Sequence, residues 1–207
     1  MSSFPPLAAG LLIGGASRRF GRPKQLAEVA GVSLAEQAYR ALAGRVGECV
    51  LLGAGPVPPA LEALPQWPDD PAAEDLRGPL AAMLTAFRRR PDHGWIFAPC
   101  DHPAVRPEAV DWLISERRPA RRAILPMTGD PREVQPLLAL YEPSAAALLE
   151  DLAATGRHGP RALAEGDGVA LLEPPTELHR CWQDIDTVVD LERYRREAEA
   201  PPAGEEN

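Results

Sequence analysis

The sequence predicts an α/β fold, a three-layer α/β/α sandwich built on a mostly parallel sheet. Apolar runs alternate with segments of helical periodicity, as they do when helices cover both faces of a parallel sheet. The first run, Leu7–Ile13, has no polar residue and ends at Gly14 and Gly15, which is typical of a strand buried on both faces. The chain of 207 residues is long enough for one such domain. We expect a single domain at residues 1–200 and a disordered tail at 201–207.

Each element follows from its own pattern. Strands are predicted where apolar runs are closed by Gly or Pro, and helices where apolar residues recur three and four positions apart. The predicted elements, in chain order, are strand Leu7–Ile13, helix Leu34–Leu42, strand Cys49–Leu52, short helix Pro59–Leu64, acidic loop Gln66–Arg77, helix Pro79–Arg90, strand Gly94–Ala98, helix Pro107–Arg117, strand Arg122–Pro126, strand Glu133–Tyr141, helix Pro143–Ala154, strand Gly168–Leu172 and helix Asp186–Ala200. Ligands of parallel sheets bind beyond the carboxyl ends of the strands, so we expect the site in the loops after Ile13 and Ala98.

The composition argues against two classes of partner. Lys and Arg number 22 and Asp and Glu number 30, so the formal net charge is −8. General nucleic-acid binders and binders of anionic membranes need a basic surface instead. Three cysteines without CxxC or zinc-binding spacing indicate a reducing compartment, and no apolar run is long enough to span a bilayer. We therefore expect a cytoplasmic protein that binds neither nucleic acid nor a membrane.

The loop after the first strand concentrates positive charge. It reads GGASRRFGRPK over residues 14–24 and ends at Lys24, the single lysine beside 21 arginines. Glycine lets the backbone approach a ligand, and four cations within seven residues repel one another unless an anion lies between them. The loop has neither the Walker GxxxxGK[ST] pattern nor the dinucleotide-binding GxGxxG pattern. It predicts a phosphate site in which Lys24 supplies a compact ammonium that arginine cannot replace, the alternative being a flexible basic turn.

A carboxylate follows the third predicted strand. Asp101 lies between Pro99 and Pro103, three residues after Ala98. Mg²⁺ is a hard cation that prefers one or two carboxylates together with water and phosphate oxygens. We therefore expect Asp101 to hold Mg²⁺, the alternative being a helix-capping residue in a loop.

Other polar and aromatic residues are expected to have structural roles rather than to take part in the reaction. Arg117 and Arg118, with the arginines that follow them, are predicted to form the rim of a loop. His102 lacks a partner at a spacing that suggests a base, so we expect a structural or solvent-facing role. Trp182 is predicted to pack in the core rather than to stack on a ligand.

Five motifs occur in a fixed order along the chain. They are GGxSxRxGxxK from Gly14 to Lys24, DxxGPL from Asp75 to Leu80, CDxP from Cys100 to Pro103, QPLxALY from Gln135 to Tyr141 and DIDT from Asp184 to Thr187. This ordered set resembles the molybdenum cofactor nucleotidyltransferases, which have the Rossmann-like nucleotide-diphospho-sugar transferase fold. The resemblance spans roughly Leu7 to Arg196.

The resemblance implies a reaction and a set of site residues. The reaction is transfer of a nucleotide from a nucleoside triphosphate to the phosphate of molybdopterin, with release of pyrophosphate and with Mg²⁺ as cofactor. The implied nucleotide-binding residues are Leu12, Ile13, Gly14, Gly15, Ser17, Arg19, Lys24, Asp75 and Asp101. Among these, Lys24, Arg19 and Asp101 would be catalytic, and Asp101 would hold the metal. Gln135, Pro136, Asp184 and Asp186 would lie at the acceptor.

The resemblance leaves the nucleotide and some roles open. IGG at the first strand end and QPLxALY resemble the guanylyl branch of the family, whereas RRFGRPKQ and DID resemble the cytidylyl branch. The guanylyl branch usually has Asn-x-Asn where Asp184 and Asp186 stand. Carboxylates accept but do not donate hydrogen bonds, so this pair either recruits a second metal or alters acceptor contacts. We favour GTP over CTP.

Two other functions remain as alternatives. One is a sugar-phosphate nucleotidyltransferase on the same fold. The other is a non-catalytic nucleotide-binding protein that delivers the cofactor. The partners expected besides the substrates are a molybdoenzyme or a cofactor-insertion protein.

Overall fold

The computed structural model describes residues 4–14, 20–73, 76, 78–129, 132–156 and 159–199. Within these ranges the chain forms ten strands and five α-helices. The strands are β1 Leu7–Leu12, β2 Glu28–Val29, β3 Val32–Ser33, β4 Glu48–Leu52, β5 Gln66–Trp67, β6 Gly94–Pro99, β7 Ala123–Thr128, β8 Glu133–Val134, β9 Ala139–Tyr141 and β10 Val169–Leu172. The helices are α1 Leu34–Leu42, α2 Pro79–Arg89, α3 Pro107–Ser115, α4 Ala146–Ala154 and α5 Val188–Glu199. Short 3₁₀ helices cover Lys24–Leu26, Pro59–Leu61, Pro71–Ala73, Pro143–Ala145, Pro160–Glu165 and Thr176–Trp182.

The main sheet is mixed but mostly parallel. Its strand order is β10-β7-β9-β6-β1-β4-β5, and β8 pairs with β7 as an additional short strand. β9 is antiparallel to both of its neighbours, β6 and β7, and β8 is antiparallel to β7. The other described strands of this sheet run in one direction, so their carboxyl ends lie at one edge. This confirms the predicted fold class.

Helices cover both faces of the sheet. Ala8 and Leu12 of β1 belong to an apolar cluster with residues of α2 and α4. Ala9, Leu11 and Ile13, which alternate with them, belong to a second cluster with residues of α1 and α3. The alternation along one strand therefore places a helical layer on each side, as the three-layer prediction requires. Among the described helices, none has the length and apolar character that crossing a membrane requires.

A third, smaller core lies beside the sheet. Phe20 and Ala27 flank the segment that carries Lys24, and they pack with Ile185, which precedes α5, and with Leu191 of α5. Thr187 caps this helix, because its Oγ1 accepts a hydrogen bond from the Asp190 amide at 3.2 Å, and its own amide donates to the Asp190 carboxylate at 2.9 Å. The small core thus joins a segment near the beginning of the described chain to one near its end.

The single strand predicted over Glu133–Tyr141 is wrong, because the segment is interrupted. Glu133 and Val134 pair with β7, and the chain then leaves the sheet before β9 begins at Ala139. Pro136 has no amide hydrogen for a strand ladder, and Leu138 has a positive φ of 49°.

Other differences concern element ends. The loop predicted over Gln66–Arg77 begins with β5, which pairs with Leu51 and Leu52 of β4. The short helix predicted over Pro59–Leu64 is a 3₁₀ helix that ends at Leu61. The last helix begins at Val188, two residues after the predicted Asp186.

Candidate active site

Three strand ends meet at the carboxyl edge of the sheet. Leu12 of β1 is paired with Leu52 of β4 on one side and with Pro99 of β6 on the other. Gly14 and Gly53 follow two of these strands, and Gly53 has a φ of +102°. A Cβ on Gly53 would lie 2.7 Å from the Cα of Gly14. Only glycine allows this backbone approach at Gly53, so this part of the wall carries no side chain.

A cavity of about 360 Å³ opens between these loops. Its lining residues are Leu12, Gly14, Leu52, Gly53, Asp69, Gly78, Pro79, Ala82, Pro99, Cys100, Asp101 and Leu137. Three residues predicted to bind nucleotide, Leu12, Gly14 and Asp101, are among them. Burial raises the pKa of the Cys100 thiol to about 12, so this sulfur stays protonated and is a poor nucleophile.

Ile13, also predicted to bind nucleotide, has its side chain elsewhere. It is 1% exposed and packs in the cluster on the α1 and α3 face of the sheet. Its backbone amide donates to the carbonyl of Leu52 at 3.0 Å, which continues the strand pairing by one residue. Ile13 therefore shapes the site through its backbone and not through its side chain.

Lys24 lies between two carboxylates. Its Nζ donates to Asp101 Oδ2 at 3.1 Å and to Asp186 Oδ1 at 2.9 Å. The Lys24 side chain is 12% exposed, while those of Asp101 and Asp186 are 26% and 51% exposed. Two residues that were predicted as phosphate and metal ligands are thus brought into contact, and Asp186, predicted at the acceptor, joins them.

The charge of Lys24 is stabilised by these neighbours. Burial acts to lower the pKa of Lys24, but the hydrogen bonds and negative charges of Asp186 and Asp101 outweigh it and raise the pKa above the ordinary lysine value. The ammonium is therefore fully protonated at neutral pH.

The acidic residues suit a hard cation that has additional ligands. Asp101 and Asp186 converge on one ammonium, which is a stand-in for a metal ion between the same oxygens. Among the residues that the structure describes, no group of three or more His, Cys, Asp or Glu side chains could hold a metal. A pair of carboxylates is nevertheless the protein contribution typical of Mg²⁺, which takes its remaining ligands from water and phosphate. The residues present fit that ion.

The segment before α5 is held against the loop after β6. The amide of Ile185 donates to the carbonyl of Asp101 at 2.9 Å. Trp182 is buried and its Nε1 donates to the carbonyl of Leu138 at 3.0 Å, which agrees with the predicted packing role. These contacts fix the position of Asp186 relative to Asp101.

His102 also lies at this junction. It is 6% exposed. Burial lowers the pKa of His102, so the ring is neutral at neutral pH. Its Nδ1 has no hydrogen-bond partner within the described ranges. Of the two predicted roles, the structural one agrees with this burial.

A second, larger cavity of about 820 Å³ is lined by Ile185, whose amide bonds to the carbonyl of Asp101 in the lining of the smaller cavity. Gln135 and Asp184, both predicted at the acceptor, line it together with Thr128. The Gln135 side chain donates to Thr128 Oγ1 at 3.0 Å, which fixes the amide at the cavity wall. Pro136 is next to Gln135, and its carbonyl accepts a hydrogen bond from the Tyr141 hydroxyl at 2.6 Å.

Asp69 is a further residue of the site, and no sequence motif predicted it. This residue follows the two-residue strand β5 and lines the smaller cavity with Gly14 and Asp101. Burial raises the pKa of its carboxyl above the ordinary value of 3.8. A strand so short has no visible periodicity, so only the adjacent acids Asp69 and Asp70 in the sequence were available as a signal.

Four predicted residues lie outside the described residues. They are Gly15, Ser17 and Arg19 of the glycine-rich loop, and Asp75 of the DxxGPL motif. Gly14 at one end of that loop and Gly78 in that motif both line the smaller cavity. The roles of the four residues stay predictions.

The fold and the site define a class of protein. A glycine-walled cavity at the carboxyl edge of a mostly parallel sheet, flanked by a lysine and carboxylates, is typical of an α/β nucleotide-binding protein. Residues 9–172 match the family model described as the MobA-like NTP transferase domain. The chain belongs to this family and is a nucleotidyltransferase, as the five motifs predict.

Curated relatives of the chain have names that agree with this family. A probable molybdenum cofactor guanylyltransferase of Bacillus licheniformis is 35% identical over 146 residues, which cover 68% of this chain and 71% of the relative. A protein of the same name from Deinococcus radiodurans is 31% identical over 168 residues, covering 81% and 83%. Another from Halalkalibacterium halodurans is 27% identical over 191 residues, covering 89% and 95%.

Solved structures share the fold. Molybdopterin-guanine dinucleotide biosynthesis protein A from Archaeoglobus fulgidus superposes with a TM-score of 0.73 at 22% identity, covering 92% of this chain and 98% of that one. A 2-C-methyl-D-erythritol 4-phosphate cytidylyltransferase from Thermus thermophilus has a TM-score of 0.66 at 16% identity, covering 92% and 98%. At these identities the likeness establishes the architecture, which enzymes acting on different substrates share.

Proposed function

We propose that this chain transfers GMP from GTP to the phosphate of molybdopterin and releases pyrophosphate. A phosphate oxygen of the pterin attacks the α-phosphorus, and the bond between that phosphorus and the oxygen bridging to the β-phosphate breaks. Pyrophosphate leaves with the electron pair. The observation that carries the proposal is the meeting of Lys24, Asp101 and Asp186 beside the glycine-walled cavity. The names of the relatives, probable molybdenum cofactor guanylyltransferases, support the choice of acceptor and nucleotide.

The protein contributes alignment and charge rather than covalent chemistry. Phosphoryl transfer needs the attacking and leaving oxygens in line and the growing negative charge neutralised. Lys24 would bind the leaving pyrophosphate, and Arg19, Gly15 and Ser17 are proposed as further phosphate contacts. At about 4 Å and an effective dielectric constant near 20, one cation–anion pair contributes roughly 4 kcal/mol before desolvation is subtracted.

Asp101 would hold Mg²⁺, with Asp186 beside it. When bound there, Mg²⁺ supplies positive charge against the phosphate oxygens on which negative charge grows. Asp101 is held in place by the bond from the Ile185 amide to its carbonyl, so its carboxylate faces the cavity from a fixed loop.

The nucleoside end of the cavity favours guanine. Asp69 lines the cavity, and its carboxylate accepts hydrogen bonds but cannot donate them when ionised. Guanine has two adjacent donors, the N1 hydrogen and the N2 amino group, whereas the pairing edge of cytosine has a single amino donor. A carboxylate therefore pairs better with guanine, and Asp75 is proposed as a second nucleoside contact. CTP is the alternative nucleotide.

The larger cavity is the proposed acceptor site. Gln135 and Asp184 in its wall would contact molybdopterin, and Pro136 would fix the loop next to Gln135. A hydrogen bond from Ile185, which lines the larger cavity, to Asp101, which lines the smaller one, supports the placement of the acceptor phosphate near the triphosphate. We propose that the product passes to a molybdoenzyme or an insertion protein in the cytoplasm. The free cysteines Cys49, Cys100 and Cys181 suit that reducing compartment.

The test is transfer from a triphosphate labelled at the α-phosphorus. The protein is incubated with Mg²⁺, molybdopterin and either GTP or CTP, and labelled product and pyrophosphate are measured together. We expect transfer from GTP, and loss of transfer in Asp101→Asn but not in the matched control Asp92→Asn, whose side chain is 76% exposed at the opposite edge of the sheet. Transfer from CTP alone would change the assigned base. No transfer from either nucleotide in folded protein would refute the proposal.

A further inference from the structure

Lys24 occupies the position in which a divalent cation would lie. Its Nζ is 3.1 Å from Asp101 Oδ2 and 2.9 Å from Asp186 Oδ1, and the lysine side chain is 12% exposed. Oxygens bind Mg²⁺ at about 2.0–2.1 Å. The two carboxylates would therefore need to close by only about 1 Å each to take a metal in place of the ammonium.

The ammonium and the metal cannot share this space. Both carry positive charge, and each needs the same oxygen atoms of Asp101 and Asp186. Repulsion between the ammonium and the metal opposes binding of the metal, because like charges held close together in a partly buried site repel each other. The metal therefore binds only when the Lys24 side chain moves away from the two carboxylates. This movement costs least free energy when another anion can pair with the ammonium.

We propose that Lys24 is the resident counter-ion of the Asp101–Asp186 pair and that the divalent metal displaces it, which releases the ammonium to the phosphates of the nucleotide. The inference rests on the proposed function in taking a metal and a triphosphate as ligands. It assigns Asp186 to the metal rather than to the acceptor. It also predicts an order of events: the metal binds weakly to the nucleotide-free protein and enters together with the triphosphate, since the triphosphate supplies the new partner for Lys24.

The experiment measures metal binding without nucleotide or acceptor. Mn²⁺ is titrated into the nucleotide-free protein, and the free ion is followed by electron paramagnetic resonance. Lys24→Gln removes the competing charge, and we expect it to bind Mn²⁺ at least about tenfold more tightly than the wild type. Lys24→Arg keeps a positive charge beside the carboxylates and should bind Mn²⁺ more weakly than Lys24→Gln. Adding Asp186→Asn to Lys24→Gln should abolish the gain.

A second measurement uses the wild-type chain, which has one lysine. Acylation of the Lys24 amine is followed by mass spectrometry, and the peptide that contains it is separated from the amino terminus. Saturating Mg²⁺ should raise the acylation rate, because the displaced ammonium is no longer enclosed by the carboxylates. This measurement decides the question if Lys24→Gln does not fold.

The outcomes separate this inference from the proposed function. Equal or weaker Mn²⁺ binding in folded Lys24→Gln, or an acylation rate that Mg²⁺ does not change, would overturn the displacement of Lys24 while leaving nucleotide transfer unaffected. Tighter Mn²⁺ binding in Lys24→Gln, in a protein that transfers no nucleotide, would support the displacement and reject the proposed function.

Discussion

Replacing Lys24 by arginine tests whether the site needs a compact ammonium or only a positive charge. The Nζ contacts two carboxylates at 3.1 and 2.9 Å and is largely buried, so a wide planar guanidinium cannot take the same position. Removing one well-placed electrostatic group from a transition state lowers kcat by about 10² to 10³, or roughly 3–4 kcal/mol. We expect kcat to fall by this factor in Lys24→Gln, and we expect kcat of Lys24→Arg to exceed that of Lys24→Gln by less than about tenfold.

The assay is steady-state transfer of labelled GMP, with kcat and KM for GTP measured separately. Lys24→Arg should keep KM near the wild-type value, because the charge that attracts the triphosphate is still present, while kcat falls. Arg40→Gln removes a positive charge from α1, where the arginine is 62% exposed and pairs with Glu36, and should change neither parameter. If kcat of Lys24→Arg stays within about threefold of the wild type, the need for an ammonium at this position is refuted.

Three other predictions concern the walls and the stability of the fold. Burial raises the pKa of Asp69 above the ordinary value of 3.8, so a higher pH is needed to ionise this carboxyl. Because the ionised carboxylate is the proposed contact to guanine, affinity for GTP should rise as the pH rises through that pKa. Asp69→Asn should remove this pH dependence in a fluorescence titration of GTP binding. Arg117 and Glu142 form a buried ion pair, 7% and 9% exposed, with N–O contacts of 2.6 and 2.8 Å. Glu142→Gln should lower the free energy of unfolding in urea by about 3–5 kcal/mol, because it leaves the Arg117 charge buried without a countercharge. The double variant Arg117→Met/Glu142→Leu should recover most of this loss. Gly53→Ala should lower both the melting temperature and the affinity for GTP, because the added Cβ would lie 2.7 Å from backbone atoms. Gly44→Ala is the matched control, since Gly44 also has a positive φ, +77°, but nothing lies within 4 Å of an added Cβ. It should cost only about 1 kcal/mol of stability and leave GTP affinity unchanged.

The long buried strands were predictable because each consists of consecutive apolar residues. The strands predicted at Leu7–Ile13 and Gly94–Ala98 each agree with the structure to one residue at their ends. Strands β2, β3 and β5 contain two residues each, too few to show a period, and pairing with distant residues defines them. The break between β8 and β9 was missed because the apolar pattern continues through Pro136, where the backbone pairing stops.

The candidate site was predictable where motifs follow strands, and less so where distant segments meet. Gly14 and Asp101 follow neighbouring parallel strands, so their closeness is a consequence of the predicted sheet. Asp186 lies 162 residues from Lys24, and only tertiary packing brings the two together. Arg117 was predicted at a loop rim, but its guanidinium is buried against Glu142, because the sequence does not reveal a partner that belongs to another element.

The small core formed around Phe20, Ala27, Ile185 and Leu191 has a consequence for the order in which the site is assembled during synthesis. Every strand of the main sheet lies before residue 173, whereas Asp186 and its support in α5 come after it. The strands of the sheet, with Asp101 at its edge, leave the ribosome before the residues that hold Asp186. The charged centre is therefore the last part of the described molecule to be completed, and a growing chain gains its full set of anionic groups only when α5 has docked.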